Sequence, residues 1–120
     1  PIWSWPKPVQ KPHPPIIMGA ASPWGRERVA RYCDGWVPLP GQMGNIAEDI
    51  ADLERRLEQH GRKLSDIEIS FFWAPEDADE LKRYRDLGVD RAILACPVAS
   101  VDDTLKQLDR HAALAAAVGA

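Results

Sequence analysis

Residues 15–39 read PIIMGAASPWGRERVARYCDGWVPL and contain a complete strand–helix–strand unit. The apolar run PIIM predicts a short strand that ends at Gly19. Ser22 followed by Pro23 indicates the start of a helix, because a serine side chain can accept a hydrogen bond from the first turn and proline is tolerated at the first helical position. The Asp-Gly pair near the end of the stretch stops that helix, and GWVPL (residues 35–39) is typical of a second strand.

The same alternation continues towards the C-terminus. Asn45 is typical of a helix cap, and Glu48 is placed to complete a capping box. The helix that follows carries one apolar stripe, formed by Ile46, Ile50, Leu53 and Leu57. Two further strands are predicted from IEISFFW (67–73) and RAILA (91–95), with a helix over 78–87 between them.

A fourth helix is predicted to begin after Ser100, with Asp103 as the partner of this cap. Its apolar residues have the spacing of a helix face that packs on a core: Val101, Leu105, Leu108, Ala112 and Ala115. We therefore expect this stripe to be buried.

Strand and helix alternate four times, which predicts an α/β fold with a parallel sheet and right-handed crossovers. The predicted strands start near positions 15, 35, 67 and 91, and a (β/α)8 barrel uses about 31 residues per unit. This spacing suits four consecutive β/α units over residues 15–120, which is half of a TIM barrel. A small doubly wound domain has the same pattern and stays open as an alternative. Residues 1–14 are rich in proline and are expected to form an extended arm.

Composition excludes several classes of partner. The chain has 120 residues and a net charge of −3, so it shows no electrostatic signature of binding to nucleic acid or an anionic membrane. No apolar run is long enough for a transmembrane helix and no signal peptide is visible, so a cytoplasmic location is expected. Cys33 and Cys96 are too far apart for a zinc-binding pair and are expected to be reduced thiols. The three histidines lack partners at metal-binding spacing, so no metal site is predicted.

The candidate ligand site is the loop formed by Gly19, Ala20, Ala21 and Ser22, hereafter loop 19–22. It leaves the carboxyl end of a predicted strand and opens a helix, where small residues and free backbone N–H groups favour an anion. Arg26, one turn into the helix, could add a charged contact to a phosphate or could be a solvated surface residue. A tight strand-to-helix turn without a ligand is the simpler alternative for the loop itself.

Residues 8–38, PVQKPHPPIIMGAASPWGRERVARYCDGWVP, resemble the segment that opens the C-terminal half of luciferase-like monooxygenases. The similarity is greatest to the class that uses the deazaflavin coenzyme F420. The matching positions are Gln10, Lys11, Pro12, Pro14, Pro15, Ile16, Gly19, Ala30, Arg31, Tyr32, Asp34, Gly35 and Trp36. Two later segments also look like the family, Gly88-Val89-Asp90-Arg91 before the fourth strand and Leu108-Asp109-Arg110 in the last helix.

The resemblance implies a (β/α)8 barrel of which this chain supplies the last four units. It implies that Gly19, Ala20, Ala21, Ser22 and Arg26 bind the cofactor phosphate, with Ala20 in place of the second glycine of the family pattern. The implied cofactor is F420, with FMN as the alternative, and the implied substrate is a small organic molecule. The implied reaction is hydride transfer, or oxygen insertion if the cofactor is FMN. No catalytic acid or base can be named from the residues.

Two expectations concern what the chain does by itself. The side of the sheet away from the helices draws on four apolar strands, so we expect a largely apolar surface that a second copy or the first half of the barrel covers. The chain is expected to be one part of an oxidoreductase and to have no activity without the rest of that enzyme. The alternative is a non-catalytic half-barrel that serves as an assembly module. Trp36 and Trp73 are expected to pack in the core, with a ring that faces the cofactor as the second possibility.

Overall fold

The computed structural model describes residues 5–39 and 44–119 of the chain. The first four residues of the predicted arm, and the last residue of the predicted half-barrel, lie outside these ranges. Strands and helices alternate as β1 (Ile17–Gly19), α1 (Pro23–Tyr32), β2 (Gly35–Val37), α2 (Ile46–Gln59), β3 (Glu68–Phe72), α3 (Ala78–Asp86), β4 (Arg91–Ile93) and α4 (Val101–Val118). A short 3-10 helix, Leu64–Asp66, precedes β3. The predicted α/β fold is confirmed.

The four strands form one parallel sheet in the order β1-β2-β3-β4. Met18 pairs with Trp36, Trp36 pairs with Ile69, and Phe71 pairs with Ala92. The spatial order follows the order along the chain without the reversal that creates a ligand site in doubly wound domains. The sheet and its four helices are consistent with a partial barrel.

The helix starts lie where the sequence predicts them. Ser22 Oγ accepts a hydrogen bond from the Gly25 N–H at 3.2 Å, and Ser100 Oγ accepts one from the Asp103 N–H at 3.2 Å. Asn45 Oδ1 accepts from the Ala47 N–H at 3.0 Å. The Glu48 carboxylate differs from the prediction: it accepts from the Asn45 side-chain amide instead of the backbone N–H of a capping box.

The hydrophobic core lies between α1–α3 and one side of the sheet, hereafter the helix side. Trp36 and Ile69 on that side are fully buried, and Phe71 is nearly so. The predicted stripe of α2 is confirmed, since all four of its members are buried: Ile46, Ile50, Leu53 and Leu57.

The prediction for α4 is wrong, because its apolar stripe faces solvent. The exposed fractions are 76% for Val101, 55% for Leu105 and 49% for Leu108. The half-buried face is a different one, formed by Thr104, Gln107, His111, Leu114 and Val118. This face packs on α3 and its approach loop, where polar partners hold it: Gln107 donates to Glu76 at 2.8 Å, and Arg85 donates to the Val118 carbonyl at 2.7 Å.

Because α4 lies against α3, it leaves the end of the sheet uncovered. Ala92 and Leu94 of the β4 segment line a cavity of about 400 Å³ between α3, β4 and α4.

The other side of the sheet, hereafter the open side, is less apolar than predicted. Ser70 Oγ donates to the Glu68 carboxylate at 2.7 Å, and Arg91 donates to the same carboxylate at 3.0 Å. These polar groups lie near the amino ends of β3 and β4. Towards the carboxyl end, Phe72 and Ile93 pair with each other on the open side, so apolar groups are concentrated there.

Two aspartates of the quoted motifs connect neighbouring strands. The Asp34 carboxylate accepts from the Ile16 N–H at 2.7 Å, and the Asp90 carboxylate accepts from the Ile69 N–H at 2.8 Å. Each aspartate also donates its own N–H back to the carbonyl of the same residue. These paired bonds fix strand register at the edge of the sheet opposite loop 19–22.

Candidate functional site

Loop 19–22 lies at the carboxyl edge of the sheet, between the end of β1 and the start of α1. It borders an open cleft of about 740 Å³. Besides the loop, the cleft is lined by Met18, Pro23, Trp24, Gly25, Arg28 and Leu39. Carboxyl edges of parallel strands are where α/β folds carry their ligand sites, so the position of this cleft favours a binding role.

Hydrogen bonds to β2 hold loop 19–22 in place. The Trp36 indole N–H donates to the Ala20 carbonyl at 2.8 Å, within the buried interior. The Ala20 N–H donates to the Val37 carbonyl at 3.2 Å. The N–H and the carbonyl of Ala20 are therefore both hydrogen-bonded to residues of β2, which holds the loop in one conformation before any ligand binds.

Ala20 departs from the glycine of the family pattern, and the structure shows how the methyl group is accommodated. A Cβ added at Gly25 would lie 2.4 Å from the Ala20 Cβ. The methyl group therefore packs against the first turn of α1, and Ala20 is buried. The absence of a side chain at Gly25 makes room for this methyl group.

The loop offers several hydrogen-bond donors to a ligand. Within the described ranges, no residue accepts a hydrogen bond from the N–H groups of Ala21, Ser22 or Trp24. Ser22 Oγ accepts from Gly25, which leaves its own hydroxyl proton for another acceptor. Together these donors suit an oxyanion at the amino end of α1.

Arg26 does not share this environment. Its guanidinium forms ion pairs with Asp49 at 2.7 Å and Asp52 at 2.8 Å, and its side chain is only 7% exposed. It also donates to the Ala21 carbonyl at 3.0 Å. With two carboxylates balancing its charge, Arg26 joins α1 to α2 and supports the loop from inside. The sequence-based assignments of a phosphate contact or a solvated surface position are both corrected.

The cation at the cleft is Arg28, which the sequence reasoning missed. The signal was present in the helical spacing, since Trp24 and Arg28 are four residues apart and share a helix face. Arg26, Val29 and Ala30 form the buried face of the same helix. Because Val29 and Ala30 mark the buried face of α1, their positions predict that Arg26 lies on that face and that Arg28 lies on the face towards the cleft.

The tryptophans separate into two groups. Trp36 is fully buried, which confirms its expected place in the core, whereas Trp73 is 65% exposed and corrects the same expectation. Trp73 follows β3 at the carboxyl edge and stacks on Phe72 with ring centroids 5.3 Å apart. Trp24, at the cleft, is 80% exposed.

The surroundings of Glu27 and Cys33 shift their pKa values. The hydrogen bond from His60, together with one from Arg56, holds the pKa of Glu27 below its usual range. Burial raises the pKa of the Cys33 thiol, while Cys96 is exposed after β4.

In the described ranges, no group of three His, Cys, Asp or Glu side chains could hold a metal ion. Among the same residues, no helix has the length and apolar character needed to cross a bilayer.

Comparison with known proteins identifies the family. Residues 2–113 match the family described as luciferase-like monooxygenase. The chain is 35% identical over 117 residues to uncharacterized proteins of Mycobacterium tuberculosis and Mycobacterium bovis, with 94% of this chain and 39% of each relative covered. It thus spans about two fifths of the length of these relatives. The parallel sheet, the loop at its carboxyl edge and the match along nearly the whole sequence agree, and the chain belongs to the luciferase-like monooxygenase family.

Proposed function

We propose that this chain is the C-terminal half of a (β/α)8 barrel in a flavin- or deazaflavin-dependent oxidoreductase, and that loop 19–22 binds the phosphate of the cofactor. The observation that carries the proposal is the cleft at the amino end of α1, where the N–H groups of Ala21, Ser22 and Trp24 are available to a ligand. Membership of the family supports the choice of ligand.

The residues of the cleft fit a phosphate ester. Backbone N–H groups and the Ser22 hydroxyl would donate to its oxygens, and the partial positive charge at the start of α1 would favour its negative charge. Arg28 would add a charge-assisted contact. The bound cofactor would supply hydride transfer to or from a small organic substrate. The chain's own share is to hold the phosphate in a rigid loop and so orient the ring.

F420 is our preferred cofactor, and FMN is the alternative. The preference rests on the resemblance of the KPHPPI and CDGW segments to the F420-dependent class. Both cofactors carry a phosphate on a ribityl chain, so loop 19–22 suits either one. Selective retention of FMN by the purified protein would overturn the preference for F420.

Exchange of Ser22 for aspartate tests the phosphate site. Aspartate is as good a helix cap as serine, so Ser22→Asp should keep α1 intact while it adds a negative charge next to the phosphate. We expect the Kd for FMN and for F420, measured by fluorescence titration, to rise by about tenfold or more, which is an energy of about 1.4 kcal/mol.

The matched control is Ser100→Asp, which makes the same change at the cap of α4. It should leave both dissociation constants unchanged. If Ser22→Asp binds the cofactors as tightly as the unmodified protein does, the phosphate does not lie at this loop.

A non-catalytic assembly module is the second candidate, favoured by the exposed apolar stripe of α4. The gene distinguishes the two proposals. Four further strand–helix units encoded in phase upstream of the Pro1 codon would support the oxidoreductase. A start codon only a few residues upstream, together with no binding of FMN or F420, would support the module.

A further inference from the structure

The carboxyl end of β3 contains an irregularity that redirects one side chain. In a regular strand successive side chains point to opposite sides. Phe72 points to the open side, so the next residue, Trp73, should point to the helix side. Phe72 pairs with Ile93, so in a regular parallel ladder the Trp73 N–H would donate to the Ile93 carbonyl. Instead, the Ala74 N–H donates to this carbonyl, at 3.0 Å. One extra residue is therefore accommodated on β3, in the manner of a β-bulge.

The extra residue is Trp73, and its backbone is left-handed, with φ of +52°. This conformation is unfavourable for a residue with a bulky side chain, so the backbone of Trp73 is strained. The result is that Phe72 and Trp73 stack on each other and both stay exposed, by 38% and 65%. Ala74 takes the buried place that Trp73 would have had, at 6% exposure.

The aromatic pair lies outside the hydrophobic core of the described residues, and its distance from loop 19–22 suits a ligand that reaches both places. Only β2 lies between β1 and β3, and adjacent strands are about 4.8 Å apart, so the pair lies roughly 10 Å from the loop along the same edge. The ribityl chain and ring of a cofactor whose phosphate was held at loop 19–22 would be long enough to cover such a distance.

We propose that Phe72 and Trp73 form a stacking platform for the flat tricyclic ring of the cofactor, with Trp73 as the contact residue. This inference rests on the proposed function, because it takes the cofactor class from there. The left-handed backbone at Trp73 is the structural device that presents the indole at the mouth of the site instead of burying it in the core.

The test measures binding of FMN, F420 and riboflavin, which has the FMN ring without the phosphate, to four variants. Trp73→Leu removes the ring, Trp73→Phe retains a smaller one, and Trp73→Gly also relieves the left-handed backbone. Trp5→Leu is the matched control, because Trp5 is 72% exposed in the proline-rich arm. Thermal unfolding of each variant is recorded alongside.

We expect Trp73→Leu and Trp73→Gly to raise the Kd for all three probes by about five- to tenfold, as for the loss of an aromatic stacking contact. Trp73→Phe should stay within about twofold of the unmodified protein, and so should Trp5→Leu. The melting temperature of Trp73→Gly should equal or exceed that of the unmodified protein, which would show that the lost affinity does not come from a damaged fold.

The outcomes separate this inference from the phosphate site. If Ser22→Asp weakens FMN but not riboflavin, while Trp73→Leu weakens both, the two sites are supported independently. If the unmodified protein binds the probes and Trp73→Leu binds them equally well, the platform is wrong and the phosphate loop stands. If the complete protein that contains this chain binds none of the three, both proposals are overturned.

Discussion

The contact between Ala20 and Gly25 sets how closely α1 approaches loop 19–22. A side chain at position 25 would meet the Ala20 methyl group at 2.4 Å, far inside van der Waals contact. Sequence alone identified the loop and its cap, since both follow from local residue preferences. It did not identify the Ala20–Gly25 pairing, because the pairing depends on how the helix folds back over the loop.

Gly25→Ala should therefore destabilise the protein although alanine is the better helix former. The overlap with Ala20 is expected to lower the free energy of unfolding by about 1–3 kcal/mol, which exceeds the gain of about 1 kcal/mol from helix propensity. Urea unfolding followed by circular dichroism measures the change.

The double variant Ala20→Gly/Gly25→Ala moves the methyl group to the other partner and should recover most of the loss. Gly44→Ala is the control, because no described residue other than the chain neighbours has an atom within 4 Å of a Cβ at that position. Equal destabilisation in the single and double variants would show that the two positions are not coupled.

At the scale of elements, an ion-pair network connects α1 with α2. Asp52 accepts from Arg26 at 2.8 Å and from Arg56 at 2.9 Å, and Glu27 accepts from Arg56 at 3.1 Å and from His60 at 2.8 Å. The sequence alone does not reveal this network, because the partners of the α2 side chains are on α1, more than 20 residues away. Local spacing reveals pairs within one helix but not pairs between helices.

This network predicts a loss of stability in acid. Burial opposes ionisation of Asp52, but hydrogen bonds from Arg56 and Arg26 outweigh this effect and hold the pKa of the carboxyl group below its usual value of 3.8. The pKa of Glu27 is likewise held below 4.5, by His60 and Arg56. A pKa lower in the folded state stabilises the protein above the unfolded value, and this stability is lost as the pH falls through the folded value.

The free energy of unfolding should thus be nearly constant from neutral pH down to about pH 5 and should fall progressively below pH 4.5. Asp52→Asn should be less stable at neutral pH and should lose less on acidification. Urea unfolding across this pH range provides the measurement. Asp79→Asn, at a carboxylate 95% exposed, should keep the original profile. An identical pH profile for Asp52→Asn would contradict the role given to this carboxylate.

The helix starts and the stripe of α2 were predictable, whereas the orientation of α4 was not. Two faces of α4 share a near-helical period, the apolar one through Leu105 and Leu108 and the mixed one through Gln107 and His111. Periodicity ranks the apolar face first, but Glu76 and Arg85 give the mixed face its partners. Trp73 was misplaced for a related reason, since strand alternation assumes a ladder without an extra residue.

At the scale of the whole molecule, the exposed stripe of α4 and the apolar end of the open side leave much apolar surface in water. Surface of this kind favours association. We expect the chain at tens of micromolar to exceed its monomer mass of 13.4 kDa in light scattering behind size exclusion.

The double variant Leu105→Lys/Leu108→Lys should shift the chain towards the monomer, because it places two charges within the exposed stripe. Val9→Lys is the control, at an apolar side chain that is 95% exposed in the arm. A chain that is already monomeric before substitution would show that these surfaces do not drive association.

The bond from the Trp36 indole to the Ala20 carbonyl also gives the molecule an optical property. Of the four tryptophans in the described ranges, Trp36 alone is shielded from water, while Trp5, Trp24 and Trp73 are open to it. A collisional quencher such as acrylamide will extinguish the emission of these three first. Among the described tryptophans, only Trp36 then contributes blue-shifted emission, and its indole N–H is bonded to loop 19–22. Events at the loop can therefore be followed by emission wavelength without an attached dye.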